Sequence, residues 1–418
     1  MCSVESTAMH ASAALPTPSQ LAVVCAITCI AVASVYWTQP VLMEIGIAYD
    51  VSATKARLAF SACSIAYALA FFFVAPLTDQ ISSRRLAGIG LSATGLMTAV
   101  SAMFEGFNGF IFSISVQGAT AAIAASAMFA LMPRIAGKER LGLYFGLIIA
   151  SSVVGITAGR AVMGLLTASI DIRGALFVCA GALLAMAALT LVLPQDHIVP
   201  VSSHESYLRQ CCKTAGMLIS PTCGMLLLVG SLLFFGYLGT LTFLTLRLQQ
   251  APFLLDGSAI GGISLVGLSA IFGAPLSGVL IRRIGSLRVA MCGLSCVLLA
   301  IVCLALAQSV AWISVGMFLM FFGVFFCQPA IFVRICERVN SAKRGAASSL
   351  YLLTCLGTGG LASAALGPIW IEYGWRGITA ITALAVVLSM LALLMDFCLK
   401  EKRANLYEKN LHCRKQIP

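Results

Sequence analysis

Six polar side chains stand inside or at the ends of long apolar stretches of this sequence: Tyr36, Gln39, Gln117, Arg160, Thr242 and Gln328. Hydroxyls, amides and one guanidinium hold a ligand by hydrogen bonds and charge, and none of them is a nucleophile beside a base. Arg160 is the most demanding of the six. Counted from Leu141 at roughly 1.5 Å per residue, it lies about 28 Å along its apolar run if that run is a helix. A guanidinium at that depth is costly unless it is paired or hydrated. No acid sits mid-run to pair with it, so Glu44, a bound compound, water or helix-end carbonyls are its candidate partners. It is either a contact for a bound compound or gate, or a structural hydrogen-bond hub. Tyr36 and Gln39, just before Pro40, line a cavity, or else Tyr36 belongs to an interfacial aromatic belt and Gln39 is bonded to a neighbouring helix. Thr242 and Gln328, the latter beside Pro329, are the corresponding candidates in the second half of the chain.

Covalent catalysis has no foothold. All four histidines (His10, His197, His204, His412) lie outside the apolar runs, and Glu44, Asp79 and Asp396 sit near run ends. A hydrolase or transferase needs a nucleophile with its base or a metal set, and ATP drive needs a glycine-rich phosphate loop. None is present, so the sequence is expected to encode no enzyme, no metal site and no cofactor. The 16 cysteines fall mostly singly inside apolar runs, where cysteine packs as a small apolar residue. Cys211-Cys212 stands apart as a vicinal pair in a polar loop without zinc-site spacing.

The elements that must position these residues follow from composition. The chain is 60% hydrophobic and 10% charged, too apolar to clothe a water-facing globule of its size. Runs of about 20 apolar residues, enough to cross a bilayer as helices, recur along it. We mark twelve: 20–43, 57–78, 86–104, 107–132, 141–168, 173–194, 217–246, 257–281, 287–307, 310–335, 345–371 and 375–398. They lack the alternation of an outer-membrane barrel, so the expected fold is an all-α membrane protein. The first 19 residues carry no Lys or Arg and the first run is full length, so it is expected to stay as a helix. Residues 1–19 then form a cytoplasmic tail, 20–194 and 217–399 two six-helix bundles, 195–216 a cytoplasmic connector and 400–418 a basic cytoplasmic tail. Basic residues gather on one side (Arg84, Arg85, Arg282, Arg283 and Arg288 among them), which places both termini in the cytoplasm. The net charge of +11 is accounted for by that topology and by lipid contact rather than by nucleic acid.

A repeat relates the halves. Ala75 and Gly278, Leu77 and Leu280, Arg85 and Arg288, Gly164 and Gly367, and Asp171 and Gly374 all stand 203 residues apart. One register joining separated segments marks an internal duplication. Position 363, the mate of Arg160, is a serine, which suggests that the arginine serves function rather than symmetric construction.

The turn Leu77-Thr-Asp79-Gln-Ile-Ser-Ser-Arg84-Arg85 resembles the loop signature of the major facilitator superfamily, Gly-x-Leu-x-Asp-Arg-x-Gly-Arg-Arg, which recurs in weaker form around Arg282 and Arg283. Gln117-Gly118 through Ala122 is similar to that family's helix 4 pattern, with Ile114 at its arginine position. Gly142-Leu-Tyr144, Gly155 to Gly159-Arg160 and the Tyr-x-x-Gln-Pro of residues 36–40 look like the bacterial drug- or sugar-efflux branch. The resemblance implies a twelve-helix, two-bundle fold of the bacterial inner membrane, acting as a monomer. It also implies alternating access, with Asp79, Arg84, Arg85, Arg282 and Arg283 helping to gate the cytoplasmic side and with proton antiport.

Elimination likewise leaves a secondary carrier whose halves rock about a midplane site. The substrate site is expected among Tyr36, Gln39, Gln117, Arg160, Thr242 and Gln328. The apolar lining favours export of small amphipathic organic compounds, with Glu44 and Asp396 as candidates for the proton-carrying acid. Two other readings stay open: a carrier of one anionic metabolite anchored by Arg160, and a non-transporting membrane sensor.

Overall fold

The computed structural model describes residues 17–135, 141–193, 207–216, 223–339 and 344–415. All regular elements among them are helical. In chain order they are α1 (Pro18–Tyr36), α2 (Leu42–Ala48), α3 (Ala53–Ala56), α4 (Leu58–Val74), α5 (Ser83–Met103), α6 (Phe107–Ile135) and α7 (Leu141–Leu189). After these come α8 (Tyr207–Ala215), α9 (Gly224–Gln249), α10 (Gly257–Ser264), α11 (Ala270–Ile284), α12 (Ser286–Leu306), α13 (Val310–Cys336), α14 (Arg344–Ala365) and α15 (Gly367–Lys415). Ten helical stretches of the described residues are long and apolar enough to cross a membrane. Two further features bear on the count. α7 is broken by non-helical backbone at Ile170 and Asp171, and α14 carries a shorter apolar stretch, Leu350–Ala365.

Local chemistry sets the helix ends. The Ser82 hydroxyl caps α5 at the Arg85 amide, Ser309 caps α13 at Trp312, and the Asp256 carboxylate caps α10 at Ala259. Across the chain the ends keep the repeat. α12 starts at Ser286 and α5 at Ser83, α13 at Val310 and α6 at Phe107, α14 at Arg344 and α7 at Leu141. Each later start lies 203 residues after the earlier one, the register read from the sequence. The breaks match as well: Asp171 at φ 61° and Gly374 at φ 58° occupy equivalent positions. Glycine takes this left-handed region freely, whereas Asp171 takes it at a strain cost. Its carboxylate accepts a hydrogen bond from the Gly174 amide at 2.7 Å, which caps the helix that resumes there.

Within the first half, α1 packs on α6 and α7, and α5 packs on α6 and α7; within the second, α9 packs on α14 and α15, and α12 on α13 and α15. Small residues allow the closest crossings. A Cβ at Gly159 would meet the Ala33 side chain, and one at Gly155 would run into the Cys29 carbonyl, so α1 lies directly on the glycine face of α7. The halves meet where α4 packs on α14, α7 on α10 and α11, and α2 on α9 and α10. At the α7–α10 crossing Gly164 lies against the Gly257 backbone.

Candidate functional site

A chain of hydrogen bonds joins the halves across this contact. The Arg160 guanidinium on α7 donates from Nη1 to Gln39 Oε1 at 2.7 Å, and Gln39 Nε2 donates to Thr242 Oγ1 on α9 at 2.9 Å. Gln39 and Thr242 stand 203 residues apart, so two repeat mates meet each other at the seam. All three side chains are buried, Arg160 to 1% exposure. The arginine is therefore satisfied in part by an amide of its own half, and not by Glu44. Its Nε remains without a hydrogen-bond partner. Tyr36 on α1 and Tyr237 on α9 lie within electrostatic reach of it, and the buried Tyr237 hydroxyl has no partner either. The local inventory is thus one buried cation, an amide, a threonine and two phenols, which is chemistry for holding a polar ligand group and for nothing covalent.

The remaining predicted site residues spread out. Gln117 on α6 donates to the Ser34 carbonyl at 2.9 Å. That carbonyl lies in the last turn of α1, where helix geometry leaves it without an intrahelical donor, so Gln117 ties α6 to the end of α1. Its own Oε1 is buried without a partner. The Tyr36 ring packs 5.6 Å from that of Phe60. Gln328 is half-buried on α13 and is not hydrogen-bonded to the other five. The phenylalanines of α13 are packing: Phe321 and Phe325 set their rings edge-on to Tyr237 at 5.5 and 6.4 Å.

Of the residues expected to gate, Asp79 ends a short 3-10 turn (Ala75–Asp79), and its side chain falls outside the described ones. Arg84 is half-buried and Arg85 exposed in the first turn of α5. Arg282 and Arg283 are exposed in the last turn of α11, the negative end of a helix. The connector helix α8 packs against that 3-10 turn and α14, and the Tyr207 hydroxyl donates to the Phe73 carbonyl.

Three features escaped the sequence reading. Arg57, at the start of α4, donates across the seam to the carbonyls of Ser363 and Ala364 at the end of α14, the latter at 2.9 Å. Its repeat position holds Ile260, so the asymmetry that singled out Arg160 was available here too. Tyr237 carried no signal, because one tyrosine in an apolar helix reads as packing. Asp396, a candidate proton carrier, instead receives Arg334 at 3.0 Å and Arg338 at 2.5 Å in a buried ion cluster between α13 and α15.

Comparison with known proteins agrees with this architecture. Inner membrane transport protein YnfM of Escherichia coli strain K12 is 25% identical over 366 residues, 86% of each chain. An uncharacterized transporter of Buchnera aphidicola subsp. Schizaphis graminum is 24% identical over 381 residues, 88% of this chain and 87% of the other. Among solved structures, the nucleoside transporter NupG superposes with a TM-score of 0.70 at 15% identity, covering 91% of this chain and 98% of that one. That likeness is one of fold. The family model described as Major Facilitator Superfamily matches residues 24–364. This multi-pass membrane protein is a transporter and belongs to the Major Facilitator Superfamily.

Proposed function

We propose that the protein is a secondary active transporter that exports small amphipathic organic compounds by alternating access, in exchange for protons. The observation that carries this reading is the buried Arg160–Gln39–Thr242 chain, which crosses from one half to the other at the positions the repeat makes equivalent. A carrier that rocks about a central site must make and break such cross-half bonds once per cycle. The substrate site is then built from Tyr36, Gln39, Gln117, Arg160 and Thr242, with Tyr237 added and Gln328 on the approach along α13. Asp79, Arg84, Arg85, Arg282 and Arg283 serve the opposite, cytoplasmic gate.

The topology that fits is twelve crossings. Dividing α7 at Asp171 and counting α14 adds two spans to the ten. Bundles of residues 20–194 and 217–399, joined by the 195–216 connector, follow from the repeat, with both termini cytoplasmic by the distribution of basic residues. The likeness to an inner membrane transport protein of Escherichia coli supports an inner-membrane location. The unit is a monomer, since the two bundles already supply both halves of the site.

Inside-out vesicles containing the purified protein test this. Ethidium, a small amphipathic cation, is expected to accumulate when the vesicle interior is acidified and to stop when the pH gradient is collapsed. A panel of such probes that never accumulates, or that accumulates without regard to the gradient, overturns the reading.

A further inference from the structure

A carrier that alternates needs a gate at each mouth, and the residues expected to gate stand at one end of the seam only. α4 and α14 run antiparallel across it. Arg57 meets Ser363 and Ala364, and further along the Ser64 hydroxyl donates to the Leu356 carbonyl at 3.3 Å. Asp79 follows at the far end, 22 residues (79 − 57) and roughly 33 Å from Arg57 at about 1.5 Å per residue. Arg57 therefore stands at the mouth opposite the expected gate.

The other half provides a seat for its guanidinium. The carbonyls of Ser363 and Ala364 lie in the last turn of α14, where helix geometry leaves acceptors without donors. Pro368, four residues after Ala364, has no N–H to offer it. Arg57 Nη1 donates to both carbonyls, at 2.9 Å to that of Ala364, and the negative end of a helix favours a cation there. The Phe243 ring of α9 lies 5.4 Å from the guanidinium carbon, within reach of a cation–π contact. Gly367 leaves the room: a Cβ there would run into the guanidinium. Every part of the seat belongs to the second half, and Arg57 is only 7% exposed in it.

The repeat supplies the comparison. At the equivalent seam Gly164, the mate of Gly367, lies against the Gly257 backbone, and Ile260 stands in the place of Arg57. One seam is packed, and the other is bonded through a charge. The bonded seat is also incompletely satisfied, since Arg57 Nε and the Ser363 hydroxyl are buried without partners. Water that reaches these atoms when the halves part offsets some of the bonds lost, which makes the contact releasable.

We propose that Arg57 is the clasp of the outer gate: seated on the end of α14 it holds the outer mouth shut, and it leaves that seat when the halves part there. The inference rests on alternating access, since a seam that never parts needs no clasp.

Hydrogen–deuterium exchange of the full-length protein in lipid nanodiscs tests this without substrate. Amides at the start of α4 and the end of α14 report the outer mouth, and those at the end of α4 and the start of α14 report the cytoplasmic one. Arg57→Met keeps an unbranched stem without the guanidinium. It is expected to raise the outer-open population, and the outer exchange rate with it, roughly tenfold, the scale of one charged hydrogen bond. One mouth closes as the other opens, so exchange at the cytoplasmic ends is expected not to rise. Should Arg57→Met fail to fold, Gly367→Ala replaces it: the arginine stays but is driven off its seat, with the same outer-end rise. Exchange that rises at both ends marks a brace whose loss loosens the fold, and exchange unchanged at the outer end marks a contact that closes nothing. Either result overturns the clasp. The two readings fail separately. An outer-end rise without gradient-driven ethidium flux sinks the exchanger, and flux without the outer-end rise sinks the clasp.

Discussion

Replacing Gln39 by Leu is the sharpest probe of the central chain, because it removes one side chain that serves two others. The Arg160–Gln39 bond at 2.7 Å involves a charged donor, and losing such a bond costs roughly 1.5–3 kcal/mol. The Gln39–Thr242 bond at 2.9 Å is neutral and adds about 1 kcal/mol. Leucine nearly fills the same space, so the expected loss is about 3 kcal/mol, most of it the penalty for a guanidinium left buried without its partner. That attribution makes a second prediction of opposite sign. Arg160→Met removes the stranded charge, so the double variant Gln39→Leu/Arg160→Met is expected to be more stable than Gln39→Leu alone, with a coupling of about 2 kcal/mol. Unfolding of each variant by sodium dodecyl sulfate titration in mixed micelles measures all four corners of the cycle. Strict additivity, or a neutral Gln39→Leu, would show that Arg160 is already hydrated or otherwise satisfied, and the site as drawn would be wrong.

Other perturbations read other parts of the molecule. Asp396→Asn weakens the acid between Arg334 and Arg338, and breaking a buried pair in this way is expected to cost about 3–5 kcal/mol by the same titration. Arg57→Ala removes the donor that crosses to Ser363 and Ala364, so fluorophores placed at Ile47 and Ile371 should stand farther apart in the variant than in wild type, read by energy transfer. Asp256 has its carboxyl held below the ordinary range by the Ala259 amide and the Ser258 hydroxyl. Its capping contribution is therefore present above the unfolded-state pKa and is lost as pH falls through the lowered folded value, and Asp256→Asn should flatten that acid limb in thermal melts. Gly159→Leu drives a side chain into Ala33 and is expected to abolish folded yield on size-exclusion chromatography, while Gly181→Leu, in open space, is not.

Much of the fold was legible because duplication is written in one register. The pairing of Asp171 with Gly374 came from sequence spacing alone, and both positions turned out to break a helix at positive φ. The glycine face at Gly155 and Gly159 was legible for a related reason: small residues four apart have one structural use in a long apolar helix. What stayed hidden was pairing in space. Arg160 and Gln39 were each readable as out of place, yet nothing in a linear chain says that one solves the other's problem across 121 residues. Glu44 and Asp396 looked alike as acids near span ends. One lies between two arginines of its own half, and the other bonds the backbone of the opposite half. That difference separates an acid that holds one bundle together from an acid whose surroundings change when the bundles move. In a carrier only the second kind can tie protonation to the cycle, because a group couples to a conformational change only through interactions that differ between the two states. The residues to interrogate for coupling are therefore those whose partners lie on the far side of the seam: Gln39, Glu44 and Arg57.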